Sequence, residues 1–304
     1  MSNVALSCPD SSAEPAPPYP PSSAGSEAEP PLRVLRPTGH QCVALLGTHE
    51  VLTSGQLVRL TGLPERTVQH HLGLLYRAGL VNRVRPPREV GTSPYHYWLT
   101  AFGAAFIGAE KPGPRSDDLA GVQATAALSE LWLAVRDRGK GVGLELRGWR
   151  RLPSGLPYQD PHTGTIRELP AEAEMIVMPG PPGGREMRLL VVARTECVPA
   201  GRLAAVLARF AYFLAASSAP VLAVLARTPR VAERVLTTAG TLDESPAARH
   251  LEEGVVATAR RRVVVGVVEP HPVGLATEPV WATPADRRAR RLVDVLAECA
   301  GSAK

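Results

Sequence analysis

No apolar run in the 304-residue chain approaches the roughly 18 residues that a membrane-spanning helix needs. The start, MSNVALSCPD, has neither a basic flank nor an apolar stretch, so no secretory leader is expected. Cysteine is scarce: Cys8, Cys42, Cys197 and Cys299 stand far apart and in no CxxC spacing. That excludes a disulfide framework and a zinc site, and it fits a reducing cytoplasm. The chain has no GxxxxGK(S/T) phosphate loop, no GxGxxG after a strand, no GxSxG elbow and no HExxH. The eight histidines offer no His-apolar-His triad, so Tyr95, Tyr97, Tyr158 and Tyr212 lack the metal partner of a tyrosine nucleophile. No cofactor and no metal are expected.

Aromatics are few, at 5%, while 30 prolines and 27 glycines mark part of the chain as tail or linker. What remains, 44% hydrophobic and 21% charged, is enough for two domains of ordinary size. The formal net charge of +5 leans towards a polyanionic partner.

Residues 1–38 are rich in Pro and Ser and hold too little apolar surface to offset the entropy of ordering, so they read as a disordered arm. Residues 39–110 are compact in pattern. QCVALLGTH is a first helix. Thr53 and Gln56 have the spacing of a capping box and open a second, with Leu57, Val58 and Leu60 towards a core. Gly62 ends it. In PERTVQHHLGLLYRAG, residues Val68, Leu72, Leu75 and Ala78 form one stripe, and Gly79 is the stop. Leu80–Val84 and Tyr95–Leu99 then form a two-stranded hairpin, and AFGAAFIGA closes the unit. That order is the order of a winged helix-turn-helix.

Residues 111–118 read as a linker, and 119–300 as an α/β domain in which helices alternate with apolar strands. The fold class is therefore α/β: a winged helix-turn-helix, then a layer domain whose order of helix, three strands, helix, strand is that of a restriction-endonuclease-like core.

Each part suggests its own chemistry. With Val68, Leu72 and Leu75 inward, Arg66, Thr67, Gln69 and His70 face outward, and Arg and Gln can fork onto guanine and adenine edges in a major groove. Arg83, Arg85 and Arg88 in the hairpin suit phosphate, a contact that positions without specifying. His70-His71 is no metal pair, because neighbouring helical residues point about 100° apart. In the second domain a nuclease of this order would hold Mg²⁺ between an acid on its second strand and an acid-x-Lys on its third. Glu172 and Glu174 stand at the head of the second strand, but Met187–Arg194 carries neither acid nor Lys, and Glu196 follows it. Glu172, Glu174 and Glu196 are thus the catalytic candidates of an incomplete site, and the two strand-head acids read as solvent-facing. The basic runs Arg260-Arg261-Arg262 and Arg287-Arg288-Ala289-Arg290-Arg291, the latter on a closing helix, read as solvated surface, with a second DNA-facing patch as the alternative.

The stretch from Arg66 to Val81 (RT-x-x-x-x-L-x-x-L-x-x-x-GLV), with Pro94 to Gly103 (PYHY-x-LT-x-x-G), resembles the opening of the replication-relaxation family of actinobacterial plasmids and integrative elements. The likeness continues through LVVARTECVPAGRLAAVLARFAYFLAA and spans about residues 40–240. It implies a setting in plasmid replication or DNA transfer. In that family acids stand on the strand before a Thr-Glu pair; here Thr195-Glu196 is kept, with Leu190, Val192 and Ala193 in the acids' place. The expected partner is double-stranded DNA, with a second copy or replication and transfer proteins beside it. The reading is a DNA-binding accessory factor; the alternatives are a winged-helix transcription regulator and a divergent metal-dependent nuclease.

Overall fold

A computed structural model describes residues 36–87, 93–109, 113–114, 117–159, 164–180, 185–216, 220–269 and 272–301. The expected arm thus lies outside the described residues except at 36–38. Helix α1 (Pro37–His49) starts before the sequence suggested, since Pro37 supplies a pre-set first helical φ. Strand β1 (Leu52–Thr53) follows. Helix α2 (Ser54–Thr61) opens on the Thr53–Gln56 capping box and ends at Gly62, whose φ of 69° is left-handed. Helix α3 (Glu65–Arg77) buries Val68, Leu72 and Leu75 as its stripe predicts. Ala78 does not join them: it is exposed at the C-cap, and His71 is the fourth buried residue.

Strands β2 (Val81–Val84) and β3 (His96–Leu99) pair antiparallel, and β1 adds to the far side of β3. The expected two-stranded hairpin is therefore a three-stranded sheet of order β1-β3-β2. Helix α4 (Ala101–Phe106) closes this part, capped by Thr100. One face of the small sheet packs with α1–α3 around Leu46, Leu57, Leu72 and Tyr97.

Helix α5 (Leu119–Arg138) lies against the other face: Val51 and Trp98 cluster with Val122 and Ala126. Next come β4 (Leu144–Arg151), the ribbon β5 (Leu156–Gln159) and β6 (Ile166–Leu169), β7 (Ala173–Pro179) and β8 (Met187–Arg194). Helix α6 (Ala200–Ala216), β9 (Pro220–Ala226), α7 (Pro229–Gly240), α8 (Glu253–Arg262), β10 (Val263–Val267), β11 (Trp281–Ala282) and α9 (Leu292–Gly301) complete the chain. The large sheet has order β11-β10-β9-β8-β7-β4, with β8, β9 and β10 parallel and the other pairs antiparallel.

Its central strands β9 and β10 are apolar throughout because both faces are covered. Leu190, Val192, Leu222 and Val224 point to the core under α6, α7 and α8. Leu189, Val191, Val221 and Ala223 point to the core under α5 and α9. The fold is thus mixed α/β, as the alternation of elements requires. The closing helix is shorter than expected: Arg287 to Arg291 precede α9, and Arg290 bridges Trp281 in extended backbone.

Candidate nucleic-acid interface

Helix α3 sorts its residues by burial. Arg66, Gln69 and His70 are exposed and Thr67 is half-buried, on the side away from the stripe. Glu65 accepts a hydrogen bond from the Gln69 amide at 2.8 Å, so Gln69 is held one turn back along the helix. His70 and His71 stand edge to face at 5.6 Å, with His71 buried and its pKa lowered by that burial and then by His70 and Arg36. Among the described residues no three His, Cys, Asp or Glu side chains gather as metal ligands. Burial also pushes the Cys42 and Cys299 thiols up to about 11, far from thiolate reactivity.

Arg83 and Arg85 are exposed on and after β2, while Arg88 lies outside the described residues. The two described arginines are gathered by aromatic rings. The Arg83 guanidinium carbon sits 4.4 Å from the centre of the Tyr76 ring and 4.7 Å from that of Tyr95; that of Arg85 is 4.1 Å from Tyr95. Burial raises the Tyr97 pKa, and the neighbouring Arg83 opposes that shift. Tyr76 lies in the last turn of α3, so the far end of the helix and β2 form one surface. The sequence reading missed Tyr76 and Tyr95. The signal was there: Arg83-x-Arg85 and Tyr95-x-Tyr97 alternate on facing strands, which brings all four to one side of a hairpin.

The acids of the second part are placed otherwise than expected. Glu174 is buried, not solvent-facing, and is ion-paired to both Arg150 of β4 and Arg188 of β8. Glu172 accepts the Ala193 backbone N–H at 3.0 Å and pairs with Arg194 at 3.5 Å. Burial raises the Glu172 pKa and lowers those of Arg151 and Arg194, while the charges of these three oppose the shifts. Guanidinium groups thus occupy the acid-rich end of β7 where a cation would otherwise sit. Glu196 is exposed beyond β8.

The basic runs carry their own counter-charges. Arg260 pairs with Asp243, Arg287 with Glu233, Arg290 with Glu298 at 2.6 Å and Arg291 with Asp294 at 2.9 Å. Such surface pairs add little stability, but they spend charge that a nucleic acid would meet.

Helix α2, which packs beside α3 in the same core, is tied to α5. The Gln56 amide donates to Ala126 O at 3.0 Å and to Glu130 at 2.9 Å, and Arg59 reaches Glu130 and Asp137. Arg227 after β9 donates to Pro87 O at 2.8 Å. A half-open cavity of about 120 Å³ lies at this junction, lined by Gln56, His96, Glu130, Arg194 and Arg227 among others.

No helix among the described residues is long and apolar enough to cross a membrane. No curated protein and no solved structure matches the chain. A family model described as replication-relaxation matches residues 43–154, from α1 to just past β4. Over that stretch, which holds α3, β2 and β3, the chain is similar to the replication-relaxation family, in keeping with the motifs from Arg66 to Val81 and Pro94 to Gly103.

Proposed function

We propose that the protein is a double-stranded DNA-binding accessory factor of plasmid or mobile-element replication or transfer. In this reading residues 39–110 are a winged helix-turn-helix. Arg66, Thr67, Gln69 and His70 approach base edges in a major groove, and Arg83, Arg85 and Arg88 approach phosphate. The observation that carries it is that Arg66, Gln69 and His70 are exposed on α3 and that Arg83 and Arg85 are exposed beside Tyr76 near its far end, with no carboxylate paired to any of the three arginines among the described residues. The family match over residues 43–154 supports the replication setting.

The α/β part, residues 119–300, serves assembly or partner binding at the origin and does not cut. Arg150, Arg188 and Arg194 on Glu174 and Glu172 support that, since a carboxylate already neutralised by guanidinium is a poor Mg²⁺ ligand.

The test is a gel shift and nicking assay on plasmid DNA with and without Mg²⁺. Retarded, uncut DNA with a steep salt dependence is expected, and Arg66→Ala should cost about 1–3 kcal/mol at the preferred site. Mg²⁺-dependent nicking abolished by Glu174→Ala would restore the nuclease reading. A footprint over promoter elements in place of an origin would make the protein a transcription regulator.

A further inference from the structure

We propose that Tyr76 and Tyr95 are positioning residues of the DNA surface. They hold Arg83 and Arg85 as a fixed pair of guanidinium groups for the phosphate backbone beside the groove that Arg66 enters. The inference rests on the DNA-binding reading above and adds the residues that shape it.

Three observations lead here. First, Arg83 lies against two rings, at 4.4 and 4.7 Å, and Arg85 against one, at 4.1 Å. A ring face attracts a cation without neutralising it, so both groups keep their charge and their N–H edges. A carboxylate would have done the opposite, as at Arg150 and Arg188. Second, Tyr76 is 41% exposed and is one of three large apolar side chains left so among the described residues. Its ring is not spent on the core. Third, the helix rise of about 1.5 Å per residue puts Tyr76 about 15 Å along α3 from Arg66. A major groove is about 12 Å wide, so with Arg66 at a base edge the Tyr76 end falls on the groove wall, where phosphates are. Rings that fix the arginines beforehand remove much of the ordering cost that a free arginine meets on binding.

The experiment is binding of the full-length chain to a mixed-sequence duplex across a salt series, because phosphate contacts do not depend on sequence. Tyr95→Leu and Tyr76→Leu should each weaken binding about two- to fivefold, the value of an exposed cation–π contact. Both should leave the slope of log K against log salt unchanged, since no charge is lost. Arg83→Ala should reduce that slope by about one. Tyr95→Phe, which keeps the ring, should bind as wild type. In an Arg83→Ala background Tyr76→Leu should have no further effect, which a merely structural role of Tyr76 would not produce. If Tyr95→Leu lowers the thermal midpoint, the exposed Tyr76 carries the test alone. Wild-type binding that both Leu variants match would overturn the positioning role and leave DNA binding standing. A wild-type chain that binds no duplex at any salt would overturn both.

Discussion

Gly73 sits in the interior of α3, on the face that the proposed function turns towards DNA, and its replacement by alanine should have two effects of opposite sign. Its backbone is ordinary helix, with no positive φ to require glycine. A Cβ built there meets nothing within 4 Å, so no neighbour resists the substitution. Helix propensity then decides the stability: alanine is better than glycine by about 0.8–1.0 kcal/mol, because glycine loses more backbone entropy. Residues 35–304 form one contact unit, and for a unit of that size a gain of about 1 kcal/mol corresponds to about 2–4 °C in the melting midpoint. Binding should move the other way. Seven residues along a helix turn by about 20° net, so Gly73 stands almost over Arg66 at the centre of the exposed face. A methyl group there holds the duplex away from Arg66 and should cost about tenfold in affinity, the scale of one base contact. Thermal melts and gel shifts on the same preparations read both effects. A lower midpoint would refute the claim of open space around Gly73; an unchanged affinity would refute the close approach of DNA to this face.

Other perturbations probe the supports of the site. Glu174→Ala leaves Arg150 and Arg188 without their shared carboxylate; because both arginines are more than a third exposed, we expect a loss of about 1–2 kcal/mol by chemical denaturation, and an unchanged midpoint would mean the pairing is incidental. Gln56→Ala removes the reciprocal half of a capping box and two hydrogen bonds to α5, so a loss of about 2 kcal/mol is expected in the same assay. His49 is buried against Trp132, and burial, then Arg151 and Arg136, lowers its pKa to about 4 from an ordinary 6.5. The unfolded chain therefore takes up a proton first. The stability that His49 contributes is whole above pH 6.5 and falls away as pH drops from there towards 4. Urea midpoints at pH 7 and pH 5 should differ less in His49→Gln than in wild type.

Local chemistry was readable wherever it was strong. The Thr53–Gln56 box, the stops at Gly62 and Gly79 and the stripe of Val68, Leu72 and Leu75 each follow from one turn of helix geometry, and they appear where that geometry puts them. The apolar runs of β8 and β9 were equally plain. Several elements were not. Strand β1 is two residues long and exists because β3 offers it an edge. The ribbon β5–β6 pairs only with itself, and Pro157 and Gly155 masked it as loop. Helix α8 carries three arginines in its last turn, and its core contribution rests on Val256 and Ala259. The acids were misread for a different reason. Whether Glu174 faces water depends on which residues stand on β4 and β8, and Arg150 is 24 positions away in sequence. Cross-strand partners of that kind are set by topology, which a single strand does not reveal. The aromatic cradle of Arg83 was closer to hand, and it was overlooked because Tyr95 was weighed only as a nucleophile and Tyr76 was not weighed at all.

The indole of Trp98 has consequences for anyone dissecting the molecule. Its underside rests on Val122 and Ala126, so a fragment cut off ahead of Leu119 would carry the small sheet with its largest ring stripped to water. Such a piece would be prone to self-association, and the shorter head would misreport the affinity of the whole. Lengthening the chain between residues 110 and 116 would do little to loosen the head, because the grip is α5 itself, shared like an axle between two wheels.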